Sequence, residues 1–111
     1  MTLENINETN LVNLTRLYIE MFPENDFSEE YENFRSILSS DSETCFLTKL
    51  ETEYVAFIHL TLRNDYVEGS EIRPTAYIEA VYVRESHRRK GIANALIKKA
   101  EKWALEKNHS F

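Results

Sequence analysis

The sequence contains few of the residues that build metal sites or disulfides. Cys45 is the only cysteine among 111 residues, which excludes a disulfide within the chain and a metal cluster held by several thiolates. His59, His87 and His109 lack metal-ligand spacing. No apolar run approaches membrane-spanning length, and the polar, acidic residues 1–10 do not resemble a signal peptide. We therefore expect a soluble, cytoplasmic protein that binds neither a metal nor a membrane.

Positive charge is also scarce. The chain has 13 Lys and Arg residues against 19 Asp and Glu residues, for a formal net charge of −6. Nucleic-acid binding needs a surplus of basic residues to neutralise phosphates, so this balance argues against a nucleic-acid partner. It is compatible with a cationic substrate. With 42% hydrophobic and 29% charged residues, the composition is that of one globular domain spanning residues 1–111.

Glycine occurs only twice, and Gly91 stands where a strand pattern gives way to a helix pattern. Residues 77–83 are mostly β-branched or aromatic, and Glu79 is the only charge among them, which predicts a buried strand. After a short basic turn, apolar residues recur at helical spacing: Ile92, Leu96, Ala100 and Trp103.

The start of this helix has the composition of an anion site. The first backbone N–H groups of a helix lack partners, and Arg88–Lys90, which precede it, cannot accept hydrogen bonds. Gly91 and Ala93 leave room for an approaching group, and the helix dipole favours negative charge. The pattern therefore suits a phosphate or pyrophosphate. The alternative is a solvated basic helix start, with Ser86 capping a turn upstream.

The whole chain predicts the element order β-α-α-β-β-β-α. The expected ranges are strand 2–6, helix 8–21, helix 28–38, strands 44–50 and 54–67, a loop at 68–74, strand 77–83 and helix 91–107. Pro23 ends the first helix, and residues 108–111 form a turn that enters another strand.

The motif Arg88-x-x-Gly91-x-Ala93, between a strand and a helix, resembles the acyl-CoA pyrophosphate loop of the GNAT superfamily of N-acetyltransferases. A narrower resemblance, to aminoglycoside 6′-N-acetyltransferases, extends over residues 63–69, 73–74 and 77–83. The resemblance implies an α/β fold with a mixed sheet, acetyl-CoA as the acetyl donor and an aminoglycoside substrate.

The resemblance also concerns the extent of the chain. It implies that these elements form the N-terminal portion of the GNAT fold, without the C-terminal strands, so that the chain is a truncated member. An open sheet edge then favours a homodimer or a strand-exchanged oligomer.

The resemblance assigns cofactor contacts to two segments. The backbone of Val81, Tyr82 and Val83 would bind the pantetheine arm, with one N–H polarising the thioester carbonyl. The pyrophosphate would lie on the main-chain N–H groups of the loop and helix start, with Arg89 or Lys90 supplying charge; the residues are Arg88, Arg89, Lys90, Gly91, Ile92, Ala93 and Asn94.

Three side chains are expected at the substrate side. Glu79 would hold the substrate ammonium or, through water, take its proton; the alternative is a structural salt bridge to Arg63 or Arg73. Tyr66 matches a tyrosine that contacts the aminoglycoside, unless it only packs at a strand end. Phe22 stands where the family has a pocket-lining tryptophan and lacks the indole N–H donor.

Two functions of different classes remain open from the sequence. The first is an N-acetyltransferase of aminoglycosides, or of another small or protein amine. The second is a non-catalytic remnant or oligomerisation scaffold that binds coenzyme A weakly or not at all.

Overall fold

The computed structural model describes Met1–Val67 and Glu71–Phe111, without the side chains of residues 65–67 and 71–73. The elements in chain order are β1 (Thr2–Asn5), α1 (Leu11–Met21), α2 (Phe27–Ile37), β2 (Glu43–Leu50), β3 (Glu53–Val67), β4 (Glu71–Val83) and α3 (Ile92–Glu106). A short 3₁₀ turn, Glu85–His87, joins β4 to the loop before α3. This order confirms the predicted α/β fold class.

The four strands form one sheet in the order β1-β2-β3-β4, with antiparallel neighbours. At the far side of β4, Thr75 forms a single parallel bridge with Ser110, and the Ala76 N–H donates to the Ser110 carbonyl at 2.9 Å. The predicted turn into a further strand therefore begins pairing beside β4.

Two features of β4 differ from the sequence prediction. The strand begins at Glu71, within the predicted loop, and it includes Pro74, which an edge position tolerates. The strand is also not buried, since Ile78 is 41% exposed and Val81 is 40% exposed. Apolar runs are typical of central strands, but here β4 lies at the end of the sheet.

The first helix is also shorter than predicted. It begins at Leu11 because residues 7–10 form a turn that is held by two asparagine side chains. The Asn7 N–H donates to Asn10 Oδ1 at 2.9 Å, and the Thr9 N–H donates to Asn7 Oδ1 at 2.8 Å. Such side-chain bonds to the backbone compete with helix formation.

The helices cover opposite faces of the sheet. On one face, α1 and α2 pack around a cluster that includes Leu14, Leu17, Phe34 and Phe57. On the other, α3 packs through Ile92, Leu96 and Ala100 onto sheet residues that include Ile58 and Leu60. The two faces are called here the α1/α2 face and the α3 face.

A β-bulge changes which face of β4 each residue joins. His59 pairs with Ala80 and Leu60 pairs with Ile78, so Glu79 is an extra residue in β4. Ala80 and Tyr82 pack against the core of the α1/α2 face, and Glu79 contacts Thr61 on the same side. The bulge therefore places the Glu79 side chain on the α1/α2 face.

Candidate functional site

The start of α3 has no side-chain cap. Its N-cap residue is Gly91, with φ of 79° and ψ of 10°, and no side chain accepts a hydrogen bond there. The Ala95 N–H donates to the Gly91 carbonyl at 3.1 Å. The preceding first-turn N–H groups, on Ile92–Asn94, are therefore those that a helix leaves for an outside acceptor.

A cleft of about 460 Å³ lies at this helix start. It is bounded on one side by Val81 and Val83 of β4 and on the other by the loop and the first turn of α3. The loop and helix residues that line it are His87, Arg88, Arg89, Gly91, Ile92, Ala93 and Asn94. The cleft thus brings together eight of the ten residues that were predicted to contact the cofactor.

The three basic residues before Gly91 have different surroundings. Arg88 donates from Nε to the Val83 carbonyl at 2.8 Å, so its side chain braces the turn between strand and helix. Arg89 lines the cleft. Its backbone φ is 65°, a left-handed conformation that residues other than glycine rarely adopt. Lys90 is exposed and is absent from the residues that line the cleft.

Val81, Tyr82 and Val83 differ in where their side chains lie. The two valines line the cleft, whereas Tyr82 packs on the α1/α2 face, with its ring centroid 6.4 Å from that of Phe57. Its hydroxyl donates to Glu20 Oε1 at 3.0 Å. A cofactor contact through Tyr82 would therefore use its backbone, as predicted.

Glu79 receives two donors on one oxygen. The Thr61 hydroxyl donates to Glu79 Oε1 at 2.6 Å, and Arg63 Nη2 donates to the same atom at 2.7 Å. The guanidinium carbon of Arg63 also lies 4.4 Å from the ring centroid of Tyr77. The structure therefore contains the salt bridge between Glu79 and Arg63, one of the two that the structural alternative predicted. The other predicted partner, Arg73, has its side chain outside the described part of the structure.

The two aromatic substrate candidates lie in different elements. Phe22 follows α1 directly, is 37% exposed and lies against Tyr18, with ring centroids 5.1 Å apart. Tyr66 is in β3, but its side chain is outside the described residues. The geometry therefore supports an exposed aromatic surface at the end of α1.

An ion-pair network joins the end of α1 to the end of β4. Arg84 follows β4 and contacts Glu20 through Nη2 to Oε2 at 2.6 Å and Nε to Oε1 at 3.0 Å. Its Nη1 donates to Glu53 Oε1 at 2.8 Å. The hydrogen bonds from Arg84 hold the pKa of Glu20 below its usual value. This network fixes α1 next to the strand that lines the cleft.

Three residues at these sites were not predicted from the sequence. His87 lines the cleft, and its Nδ1 lies 2.8 Å from Ser86 Oγ. Thr61 orients Glu79, and Arg84 pairs with Glu20. The period-two alternation of β3 places Thr61 on the face of Phe57, but its meeting with Glu79 depends on the bulge, which leaves no clear sequence signal.

Other site types find no support in the described ranges, Met1–Val67 and Glu71–Phe111. Within them, no helix is long and apolar enough to cross a membrane. The same residues contain no group of three or more His, Cys, Asp or Glu side chains that could hold a metal ion. Burial raises the pKa of the Cys45 thiol, which disfavours the thiolate that a nucleophile needs.

In this chain, β4 leads through a basic turn into the uncapped start of α3, the arrangement that the sequence motif predicted for an acyl-CoA pyrophosphate loop. The profile of the Acetyltransferase (GNAT) family matches residues 11–111, and the chain belongs to this family.

Relatives with curated names point to one branch of the family. The chain is 35% identical over 91 residues to aminoglycoside N(6′)-acetyltransferase type 1 of Serratia marcescens, covering 81% of this chain and 62% of the relative. It is 25% identical over 107 residues to the protein of the same name from Salmonella enteritidis, covering 96% and 74%. The chain thus spans less than two thirds of the length of the Serratia relative.

Solved structures share the fold. AAC(6′)-Iy in complex with the bisubstrate analogue CoA-S-monomethyl-acetylneamine superposes with a TM-score of 0.89 at 23% identity, covering 99% of this chain and 76% of that one. AAC(6′)-Iy in complex with CoA gives a TM-score of 0.88, also at 23% identity, covering 98% and 74%.

Proposed function

We propose that this chain binds acetyl-CoA and transfers the acetyl group to the 6′-amino group of an aminoglycoside. The observation that carries the proposal is the cleft between β4 and the uncapped start of α3, in a chain of the GNAT family. The names of the Serratia and Salmonella relatives support the choice of aminoglycoside. Because acetyl-CoA is a cytoplasmic metabolite, the proposal includes cytoplasmic action, as for an antibiotic-resistance enzyme.

The cofactor contacts follow from the two sides of the cleft. The first-turn N–H groups of α3 bind the pyrophosphate, and Arg89 adds a positive charge. The backbone of Val81–Val83 orients the pantetheine arm, and one of its N–H groups stabilises the oxyanion. Acetyl-CoA would supply an acetyl thioester whose carbonyl carbon the neutral amine attacks directly, without a covalent acyl-enzyme. The C–N bond forms as the C–S bond breaks, and coenzyme A leaves as the thiolate.

On the substrate side, Glu79 is the proposed catalytic residue. Its carboxylate holds the substrate ammonium and accepts a proton from it, directly or through water. Thr61 orients the carboxylate through its 2.6 Å hydrogen bond. Phe22, at the end of α1, offers an aromatic face to the sugar and so helps to orient the amine. Tyr66 is the second proposed aromatic contact.

Calorimetry with acetyl-CoA tests this proposal, followed by an acetyl-transfer assay with kanamycin. Gly91→Asp places a carboxylate in the cleft and should abolish acetyl-CoA binding. A Cβ added at Gly91 would meet no heavy atom within 4 Å, so the substitution introduces no steric clash at the Cβ. It changes the charge of the cleft and strains the backbone at positive φ. Asn108→Asp adds the same charge beyond the other end of α3, where Asn108 also has positive φ of 59°, and should leave binding unchanged. A folded wild-type chain that binds no acetyl-CoA would refute the proposal.

A second candidate function is a non-catalytic scaffold that associates through β4. It is favoured by the exposure of Ile78 and Val81, two apolar residues on an edge strand. This candidate predicts a homodimer or strand-exchanged oligomer without acetyl transfer. Light scattering alongside the transfer assay separates it from the enzyme.

A further inference from the structure

We propose that Arg63 is a specificity-determining residue whose guanidinium occupies the ammonium-binding position of Glu79 and must be displaced by the substrate. The inference rests on the proposed function, because it identifies which amines that site accepts. In this arrangement, Arg63 competes with every incoming cation for the same carboxylate.

The contacts of Arg63 are those by which proteins recognise a cationic amine. Its Nη2 lies 2.7 Å from Glu79 Oε1, and its guanidinium carbon lies 4.4 Å from the ring centroid of Tyr77. A carboxylate and an aromatic face together attract ammonium and guanidinium groups through charge-assisted hydrogen bonding and cation–π attraction. A side chain of the protein thus demonstrates that this position holds a cation.

The contact is also exposed enough to be exchanged. The Arg63 side chain is 53% exposed and that of Glu79 is 32% exposed, and ion pairs in such surroundings contribute little to stability. When Arg63 moves away, the Thr61 hydroxyl still holds Glu79 Oε1 at 2.6 Å. The Glu79 carboxylate therefore keeps its orientation when a substrate ammonium replaces the Arg63 guanidinium.

Arg84, which follows β4, is an arginine that a ligand would displace less easily than Arg63. It contacts both oxygens of Glu20 and also Glu53, so displacing it would break several hydrogen bonds at once. Arg63, by contrast, donates a single described hydrogen bond to its carboxylate. Of the two arginines, Arg63 is the one that a ligand cation can replace.

This competition selects for polycations. Arg63 is tethered beside Glu79, so its effective concentration there is high, and a ligand with one ammonium gains little by replacing it. A ligand with several ammonium groups keeps its other contacts with an acidic protein while one group displaces the guanidinium. Arg63 therefore favours aminoglycoside-like polyamines over monoamines.

The test is calorimetric titration of the wild-type chain, Arg63→Gln, Arg63→Lys and Arg35→Gln. The probes are kanamycin and a monoamine sugar, 6-amino-6-deoxyglucose, with acetyl-CoA titrated separately. Arg63→Gln removes the competing cation, so kanamycin should bind about two- to fivefold more tightly. The monoamine should gain more than kanamycin, because a specificity role for Arg63 requires its loss to narrow the preference for polyamines, and equal gains would overturn that role. Arg63→Lys should stay close to wild type. Arg35→Gln removes an equal charge from exposed Arg35 on α2 and controls for net charge.

The outcomes separate this inference from the proposed function. Unchanged or weaker kanamycin binding by folded Arg63→Gln overturns the inference, because a purely structural Arg63 would orient Glu79 and its loss could only weaken binding. An equal gain in Arg35→Gln also overturns it, since net charge would then suffice. In both cases, retained acetyl-CoA binding leaves the cofactor part of the proposed function standing. If the folded wild-type chain binds no acetyl-CoA, both the proposed function and this inference are refuted.

Discussion

Replacing Arg89 by glycine should stabilise the fold and weaken acetyl-CoA binding at the same time. Arg89 has φ of 65°, and a left-handed conformation costs a residue with a side chain about 1–2 kcal/mol. Glycine avoids this cost but loses about 0.5–1 kcal/mol more backbone entropy on folding. The expected net gain is about 0.5–1 kcal/mol, or roughly 2–5 °C in Tm.

The binding effect has the opposite sign because Arg89 lines the cleft. Loss of one exposed charge–phosphate contact should cost about 1 kcal/mol, which is about fivefold in Kd. Differential scanning calorimetry measures the first change and titration calorimetry with acetyl-CoA measures the second.

Two control variants separate the effect of backbone strain at Arg89 from the effect of its charge. Arg89→Ala keeps the strained backbone but removes the charge, so it should weaken binding without raising Tm. Glu51→Gly relieves a similar strain, at φ of 56°, between β2 and β3, and should raise Tm with unchanged binding. If Arg89→Gly binds acetyl-CoA as tightly as wild type, or melts at a lower temperature, this reasoning is wrong.

Two further predictions concern the packing that holds the sites. Glu20→Gln should reduce the loss of stability in acid. Hydrogen bonds from Arg84 lower the pKa of Glu20 from 4.5, so its contribution is present above about pH 4.5 and is lost as pH falls through the lowered pKa. Thermal melts at about pH 7 and about pH 3 give the difference in the free energy of unfolding between the two pH values. This difference should be smaller in the variant by under about 1 kcal/mol, because the pair is a third exposed. An unchanged difference would contradict the assignment. Phe57→Ala should lower the free energy of unfolding by about 3–5 kcal/mol, because the ring is fully buried between α1, α2 and β4. Denaturant titration measures this, and a loss under about 1 kcal/mol would show that the ring is not central to the core.

Local chemistry explains why much of the fold was predictable. The helical stripes of α1 and α3, and the alternation within β3, are periodic signals that span ten or more residues. Gly91 and the basic residues before it predicted the uncapped helix start, because capping depends on residues adjacent in sequence. The cleft then assembled where the strand and this helix start were expected to meet.

The prediction for β4 was correct in its strand type and wrong in its surroundings. Its apolar residues indicated burial, yet Ile78 and Val81 are exposed, because burial depends on which strands lie alongside. The substrate and cofactor roles of individual residues stay predictions.

By itself, the sequence determined the elements, their order and the basic, uncapped character of the turn at Arg88–Ala93, since these depend on neighbours along the chain. Only the tertiary structure decided that Glu79 meets Thr61 and Arg63, because that meeting requires an extra residue in β4 opposite β3. It also decided that Arg84 pairs with Glu20, 64 positions away. Contacts between distant segments depend on sheet register and helix packing, which no local pattern encodes.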